Sequence, residues 1–179
     1  ASVENFTRFL KSGASRILHF TGYGHSQHVL ALEDNSGDGY MDDSFSLDQL
    51  NVLVKEAPNL QLVVVNSFHS GRIGKAFVDA GVPHVVCCHH PVMFRDKAAN
   101  SFLKNFYRGL ATNKSLKQSF YHAQEAVRVE EISKHVERYV LLPREKSAND
   151  PYHDIPIFYT HPVAENTVDK EADTLLHND

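Results

Sequence analysis

The chain has few cysteines, no excess of basic charge and no long apolar run. Its two cysteines, Cys87 and Cys88, are adjacent and cannot form a disulfide that links distant parts of the chain. We therefore expect a reducing, cytoplasmic environment. A formal net charge of -4 provides no basic surface for nucleic acid. No apolar stretch approaches the roughly 20 residues that span a bilayer, and no signal-peptide pattern is present. We therefore expect neither nucleic acid nor a membrane as a partner.

The length and the apolar content are those of one globular domain. With 179 residues, of which 42% are hydrophobic, the chain can bury one substantial core. We expect a domain over residues 1–160 and an acidic, patternless tail or linker over residues 161–179. The chain begins at Ala1 within a stretch of helical spacing, so we expect it to be a piece of a longer polypeptide.

Short apolar runs alternate with segments in which apolar residues recur at helical spacing. The spacing predicts helices over residues 3–11, 47–54, 71–80, 99–110 and 116–127. The apolar runs predict strands over residues 16–21, 28–32, 60–65, 83–88, 139–142 and 155–159. This alternation is typical of an α/β fold with a mostly parallel sheet flanked by helices on both faces. Sites in such sheets form outside the carboxyl ends of the strands.

Two loops follow strand ends and carry the features of an active site. The first predicted strand ends in Gly22-Tyr23-Gly24, and the strand over residues 60–65 ends in Asn66-Ser67-Phe68-His69-Ser70-Gly71. These loops resemble the two motifs of the CHAT family of caspase-like cysteine peptidases. That family writes them roughly as His-Phe-x-Gly-His-Gly and Asn/Ser-Ala-Cys-x-Ser-Gly. Residues 71–86 and 105–110 resemble later segments of the family in the same order. The resemblance implies a caspase-like three-layer sandwich.

The resemblance also implies that both catalytic groups are missing. Tyr23 stands where the family has its catalytic His, and Phe68 stands where it has its Cys. A tyrosine, with an unperturbed pKa near 10, is a poor base at neutral pH, and a phenylalanine has no nucleophilic atom. The implied function is an inactive pseudopeptidase domain without a cofactor, serving as an interaction or regulatory module of a larger protein. Its expected partner is a protein or peptide segment in the vestigial cleft, or an adjacent NTPase or repeat domain.

Neighbouring polar residues leave an alternative open. Ser67 or Ser70 would be the nucleophile of an active hydrolase, with His25 or His69 as the base. Adjacent residues of a tight turn project in different directions, which argues against such a displaced pair. The simpler interpretation of these side chains is that they form hydrogen bonds with local backbone groups. Tyr23 and Phe68 have two alternative interpretations. Either the two rings pack against each other as part of the core, or they block the substrate cleft.

The rim of the predicted cleft is formed by residues that follow strand ends. We expect this rim to include two imidazoles past the strand over residues 83–88, together with three glycines of the motif loops. The expected lining residues are Gly22, Gly24, Gly71, His89 and His90.

Two further patterns suggest metal ligands. Asp34, Ser36, Asp38 and Asp42 occupy ligand positions of an EF-hand loop, but the bidentate Glu at the twelfth position is replaced by Phe45. The preceding segment also has the pattern of a strand, whereas an EF-hand needs a helix. An acidic hairpin loop is therefore the favoured interpretation, with calcium binding as the alternative.

The second pattern is Cys87-Cys88-His89-His90, which combines two zinc-ligating residue types. Consecutive residues of a strand point to opposite faces, whereas structural zinc sites use spaced pairs such as Cys-x-x-Cys. We therefore expect buried thiols and no metal site in this segment.

Overall fold

The computed structural model describes residues 2–22, 30, 32, 46–67, 70–88, 96–129, 138–147 and 150–158. Within these residues, one sheet has the strand order β1-β2-β3-β4. Its strands are β1 (Ile17–Thr21), β2 (Leu62–Asn66), β3 (His84–Cys88) and β4 (Tyr139–Leu142). The first three strands are mutually parallel, and β4 is antiparallel to β3. The predicted mostly parallel sheet is confirmed.

Helices cover both faces of this sheet. The described helices are α1 (Val3–Lys11), α2 (Leu47–Lys55), α3 (Ser70–Asp79), α4 (Asp96–Ala111) and α5 (Leu116–Val129). Val63 and Val65 of β2 belong to a core that includes residues of α1, α2 and α3. Leu62 and Val64, which alternate with them, belong to a second core with α4 and α5. The predicted three-layer α/β sandwich is therefore confirmed.

Local signals in the sequence explain where several helices begin and end. The Ser46 side chain accepts a hydrogen bond from the Gln49 backbone N–H at 3.2 Å, and the Gln49 side chain accepts one from the Ser46 N–H at 2.6 Å. This reciprocal capping box starts α2, with Ser46 as the N-cap. Helix α1 ends shortly before Gly13, which adopts a φ of 60°, a left-handed conformation that favours glycine.

Close contact between α3 and β3 fixes the helix that follows the second motif loop. Gly74 is buried in α3, and a Cβ atom there would lie 2.9 Å from the Cys87 Cβ. A side chain at this position would push the helix off the sheet, because real Cβ atoms do not approach one another so closely. The start of α3 is thereby held at the edge where β2 and β3 end.

The predicted strand over residues 155–159 is wrong for residues 155–158, which form bends and irregular backbone. The Ile155 carbonyl accepts a hydrogen bond from the Leu116 N–H at 2.9 Å, at the start of α5, and Pro156 has no N–H to donate. Ile157 is fully buried, so its apolar character reflects anchoring rather than strand pairing. The predicted strand over residues 28–32 lies outside the described residues except for Leu30 and Leu32, which are buried. The predicted tail also lies outside them.

Candidate functional site

The carboxyl ends of β1 and β2 lie side by side. Thr21 and Asn66, the last residues of these strands, are paired in the parallel register. The two motif loops therefore leave the sheet from adjacent positions, at Gly22 and Ser67. Tyr23 and Phe68 follow these two residues directly in the sequence and lie outside the described residues. In open α/β sheets, sites form outside such carboxyl ends.

A buried tyrosine holds the end of β2. The Tyr139 hydroxyl donates a hydrogen bond to Asn66 Oδ1 at 2.8 Å. The Tyr139 ring stacks on Phe102 of α4, with centroids 3.8 Å apart and planes 11° apart. Burial raises the pKa of Tyr139, which keeps its hydroxyl protonated as a donor. Sequence reasoning missed this contact, because the two residues are separated by 73 positions and no local pattern marks the pair.

Ser70 connects the ends of two strands from inside the fold. Its side chain is fully buried, and its Oγ accepts a hydrogen bond from the Cys88 N–H at 2.7 Å. The same hydroxyl donates to the Val65 carbonyl at 3.2 Å. These bonds tie the first residue of α3 to β2 and β3, and the Cys88 partner lies 18 positions away in the sequence. Ser67 is also buried, at 6% exposure.

The two cysteines lie on opposite faces of β3. Cys87 belongs to the core with α1, α2 and α3, whereas Cys88 belongs to the core with α4 and α5. Both are free and fully buried, and burial raises the pKa of each thiol to about 12. They are therefore protonated, unreactive thiols at neutral pH. Among the described residues, no group of three or more His, Cys, Asp or Glu side chains is arranged to hold a metal ion.

An imidazole to which sequence reasoning gave no role lies near the end of β1. His19 Nε2 is 3.0 Å from the Thr21 Oγ1, and its ring stacks on Tyr107 of α4 with centroids 5.5 Å apart. Burial lowers the pKa of His19, so the imidazole is neutral at pH 7. Its position on the strand directs it toward α4, on the same face of the sheet as Tyr139.

Two of the predicted lining glycines fall within the described residues. Gly22 is exposed at the end of β1. Gly71 is half-buried and borders a cavity of about 340 Å³ between α3 and β4, which Val78, Val140 and Leu142 also line.

The other predicted site residues lie outside the described residues. The structure therefore leaves their roles as predictions, both for the cleft and for the acidic loop. They are Tyr23, Gly24, His25, Asp34, Ser36, Asp38, Asp42, Phe68, His69, His89 and His90.

Comparison with protein families matches residues 1–162 to the model of the CHAT domain. Comparison with curated proteins gives no match. Within the described residues, no helix is both long enough and apolar enough to cross a membrane.

Proposed function

The chain belongs to the CHAT family of caspase-like domains, and on this premise we propose that it is a catalytically inactive member that acts as an interaction or regulatory module of a larger protein. The observation that carries the proposal is the pair of residues at the dyad positions, Tyr23 and Phe68. Covalent peptidase chemistry needs a base and a nucleophile, and neither ring supplies one at neutral pH. Losing the nucleophile alone removes the acyl-enzyme route.

The paired ends of β1 and β2 support a binding function rather than loss of the whole site. Thr21 and Asn66 end adjacent parallel strands, and the end of β2 is held by the hydrogen bond from Tyr139. A domain that had lost every constraint on this edge would not need a buried tyrosine to hold it. We propose that the cleft between the two loops binds a protein or peptide segment, or a part of an adjoining NTPase or repeat domain. Residues 161–179 are proposed to be the tail or linker, and the protein is proposed to work in the cytoplasm.

The competing hydrolase needs a free hydroxyl next to an imidazole. The Ser70 hydroxyl already accepts from the Cys88 N–H and donates to Val65, and its side chain is fully buried. To act as a nucleophile, Ser70 would have to break both bonds and leave the core, which costs more than the hydrogen bonds alone. This use of the hydroxyl favours the inactive domain over the displaced Ser/His pair.

A fluorophosphonate probe separates these two functions. We expect no covalent labelling of the folded protein, whereas an authentic serine hydrolase in the same tube is labelled. Peptide mapping that finds the probe on Ser67 or Ser70 would overturn the proposal in favour of the hydrolase.

Binding in the cleft is tested by a photo-crosslinker in place of Phe68. Benzoylphenylalanine keeps an aromatic ring there, and the same residue at Val52, which is 58% exposed on α2, is the matched control. In the protein's full-length context, we expect crosslinks from position 68 to a defined segment of the same chain or of a partner, and none from position 52. Equal or absent crosslinking at both positions would contradict an occupied cleft.

A further inference from the structure

The described residues that follow β4 fold back onto the sandwich; we call residues 143–147 and 150–158 the C-terminal strap. Ile157 is fully buried, and the Ile155 carbonyl accepts from the Leu116 N–H at 2.9 Å. Glu145 forms an ion pair with Lys117 of α5 at 2.9 Å, with 15% of each side chain exposed. The strap is therefore attached to the start of α5 by apolar, hydrogen-bonded and ionic contacts.

A pair of buried histidines joins the strap to β3. His84 begins β3 and is 3% exposed, whereas His153 lies in the 3-10 turn of the strap, Pro151–His153, and is fully buried. Their Nδ1 atoms are 2.8 Å apart. The other ring nitrogen of His153, Nε2, is 2.8 Å from the Pro143 carbonyl oxygen. The Tyr152 ring packs edge-on against both imidazoles.

These distances determine where the protons lie. A carbonyl oxygen only accepts, so His153 Nε2 carries a proton and donates it to Pro143. In the neutral ring, His153 Nδ1 is then a bare acceptor, and His84 Nδ1 must carry the proton that lies between the two rings. The neutral pair thus has one Nδ1–H tautomer and one Nε2–H tautomer.

Acid disturbs this pair. A first added proton makes the buried pair cationic, and a second would place two N–H groups head to head at 2.8 Å and remove the bond. A proton on His84 Nε2 would put a cation in a buried site, which is costly without a partner. Burial and the neighbouring His153 lower the pKa of His84 from 6.5 to about 4.

We propose that the His84–His153 pair is an acid-sensitive latch that fastens the C-terminal strap to the start of β3 and releases it as the pH falls. The latch is independent of whether the cleft binds or cuts, and it provides a means of releasing the C-terminal strap.

The groups around the pair come from three elements, of which two contribute charged or titratable side chains. The strap contributes Tyr152 and the Asp150 carboxylate, which acts on His153 from the 3-10 turn. Helix α5 contributes Lys117, whose Nζ donates to the Asp150 carbonyl at 3.2 Å while it pairs with Glu145. The neighbouring strand β2 places the apolar Leu62 beside His84. Asp150 accepts from the Lys146 and Tyr152 backbone N–H groups, so its charge is already engaged.

The sign of the pH effect follows from the protons bound in each state. The open strap exposes a histidine that titrates near 6.5, whereas the latched His84 stays neutral down to about pH 4. Between these values the open state binds more protons, so acid favours opening, by about tenfold per pH unit for one histidine. Above pH 6.5 the latch is fully closed, and its contribution is lost as the pH falls toward 4.

Two measurements on the wild-type protein test the latch. Two-bond ¹⁵N–¹H spectra at pH 7.5 should show the Nδ1–H tautomer for His84 and the Nε2–H tautomer for His153; any other pair of tautomers would overturn the proposal. Hydrogen exchange of the Leu116 amide, corrected for its intrinsic rate, should rise between pH 7 and pH 5 while amides of β2 stay protected. An unchanged Leu116 rate, or a rise shared equally by β2, would also overturn it.

The variant His84→Asn separates titration from packing. Asparagine can place an amide group where Nδ1 lies and cannot take up a proton, so we expect the acid-induced rise at Leu116 to fall by at least tenfold. His122→Asn, at an exposed position of α5, is the matched control and should keep the wild-type profile. A wild-type slope in His84→Asn would contradict the latch. If that variant fails to fold, the tautomer assignment of the wild type still decides.

Discussion

At the scale of single residues, the candidate site depends on polar atoms that the core has enclosed. Asn66 ends β2 immediately before the motif loop, and its side chain is held by Tyr139 from the antiparallel strand β4. Ser70 holds the other end of the same loop through Cys88 and Val65. Hydrogen bonds thus hold the described residues on both sides of Phe68.

Removing the Tyr139 hydroxyl should loosen this loop without a loss of packing. Tyr139→Phe keeps the stacking on Phe102 but leaves Asn66 Oδ1 without its donor, so we expect a loss of about 1–2 kcal/mol in the free energy of unfolding. Urea unfolding followed by far-ultraviolet circular dichroism measures it. Tyr121→Phe, at a tyrosine that is 52% exposed, is the control and should change stability by less than about 0.5 kcal/mol. Equal effects of the two substitutions would contradict the role of the Asn66 contact.

At the scale of elements, apolar periodicity predicted most of the described fold. The strand Tyr139–Leu142 and the helix Val3–Lys11 agree with their predicted bounds. The predicted strand over residues 60–65 begins later, at Leu62, because the Leu60 N–H bonds back to the Ala57 carbonyl in a turn. Residues 155–158 were predicted as strand because an apolar run looks the same whether it pairs in a ladder or anchors a strap.

The parts that sequence reasoning missed are contacts between distant segments. Asn66 with Tyr139 and His84 with His153 join residues 73 and 69 positions apart. Local spacing carries no information on such pairs, since they depend on how β3, β4 and the strap are arranged in space. The placement of both motif loops at one edge of the sheet is predictable, because parallel strands bring their carboxyl ends to one side.

The contact of α3 with β3 gives a prediction at this scale. Gly74→Ala adds a Cβ that would lie 2.9 Å from the Cys87 Cβ, so the helix must shift. We expect a net loss of about 1–3 kcal/mol from overpacking, which exceeds the gain of up to about 1 kcal/mol in helix propensity. Thermal or urea unfolding measures it.

Arg72→Ala, at an exposed position of the same helix, serves as the control and should be close to neutral. A Gly74→Ala variant as stable as the wild type would show that α3 and β3 do not need this close approach.

At the scale of the whole molecule, the carboxyl ends of β1 and β2 form one edge of a domain of the CHAT family. Thr21 and Asn66 emerge in register on adjacent strands, and the family match extends over residues 1–162. We propose that two side chains, Tyr23 and Phe68, separate this domain from a working thiol peptidase. If so, restoring the His and the Cys should restore part of the thiol reactivity. If the loops have changed their geometry, the two substitutions should have no such effect.

The most direct test is the alkylation rate of a thiol at position 68 in the variant Tyr23→His with Phe68→Cys, against Phe68→Cys alone. Cys87 and Cys88 contribute little background, because both are buried and burial raises the pKa of each to about 12. An imidazole that faces the new thiol should lower its pKa, so at pH 6 the double variant should react with iodoacetamide about tenfold faster or more. Equal rates in the two variants would mean that residues 23 and 68 do not lie next to each other. This result would contradict the proposed arrangement of the two motif loops.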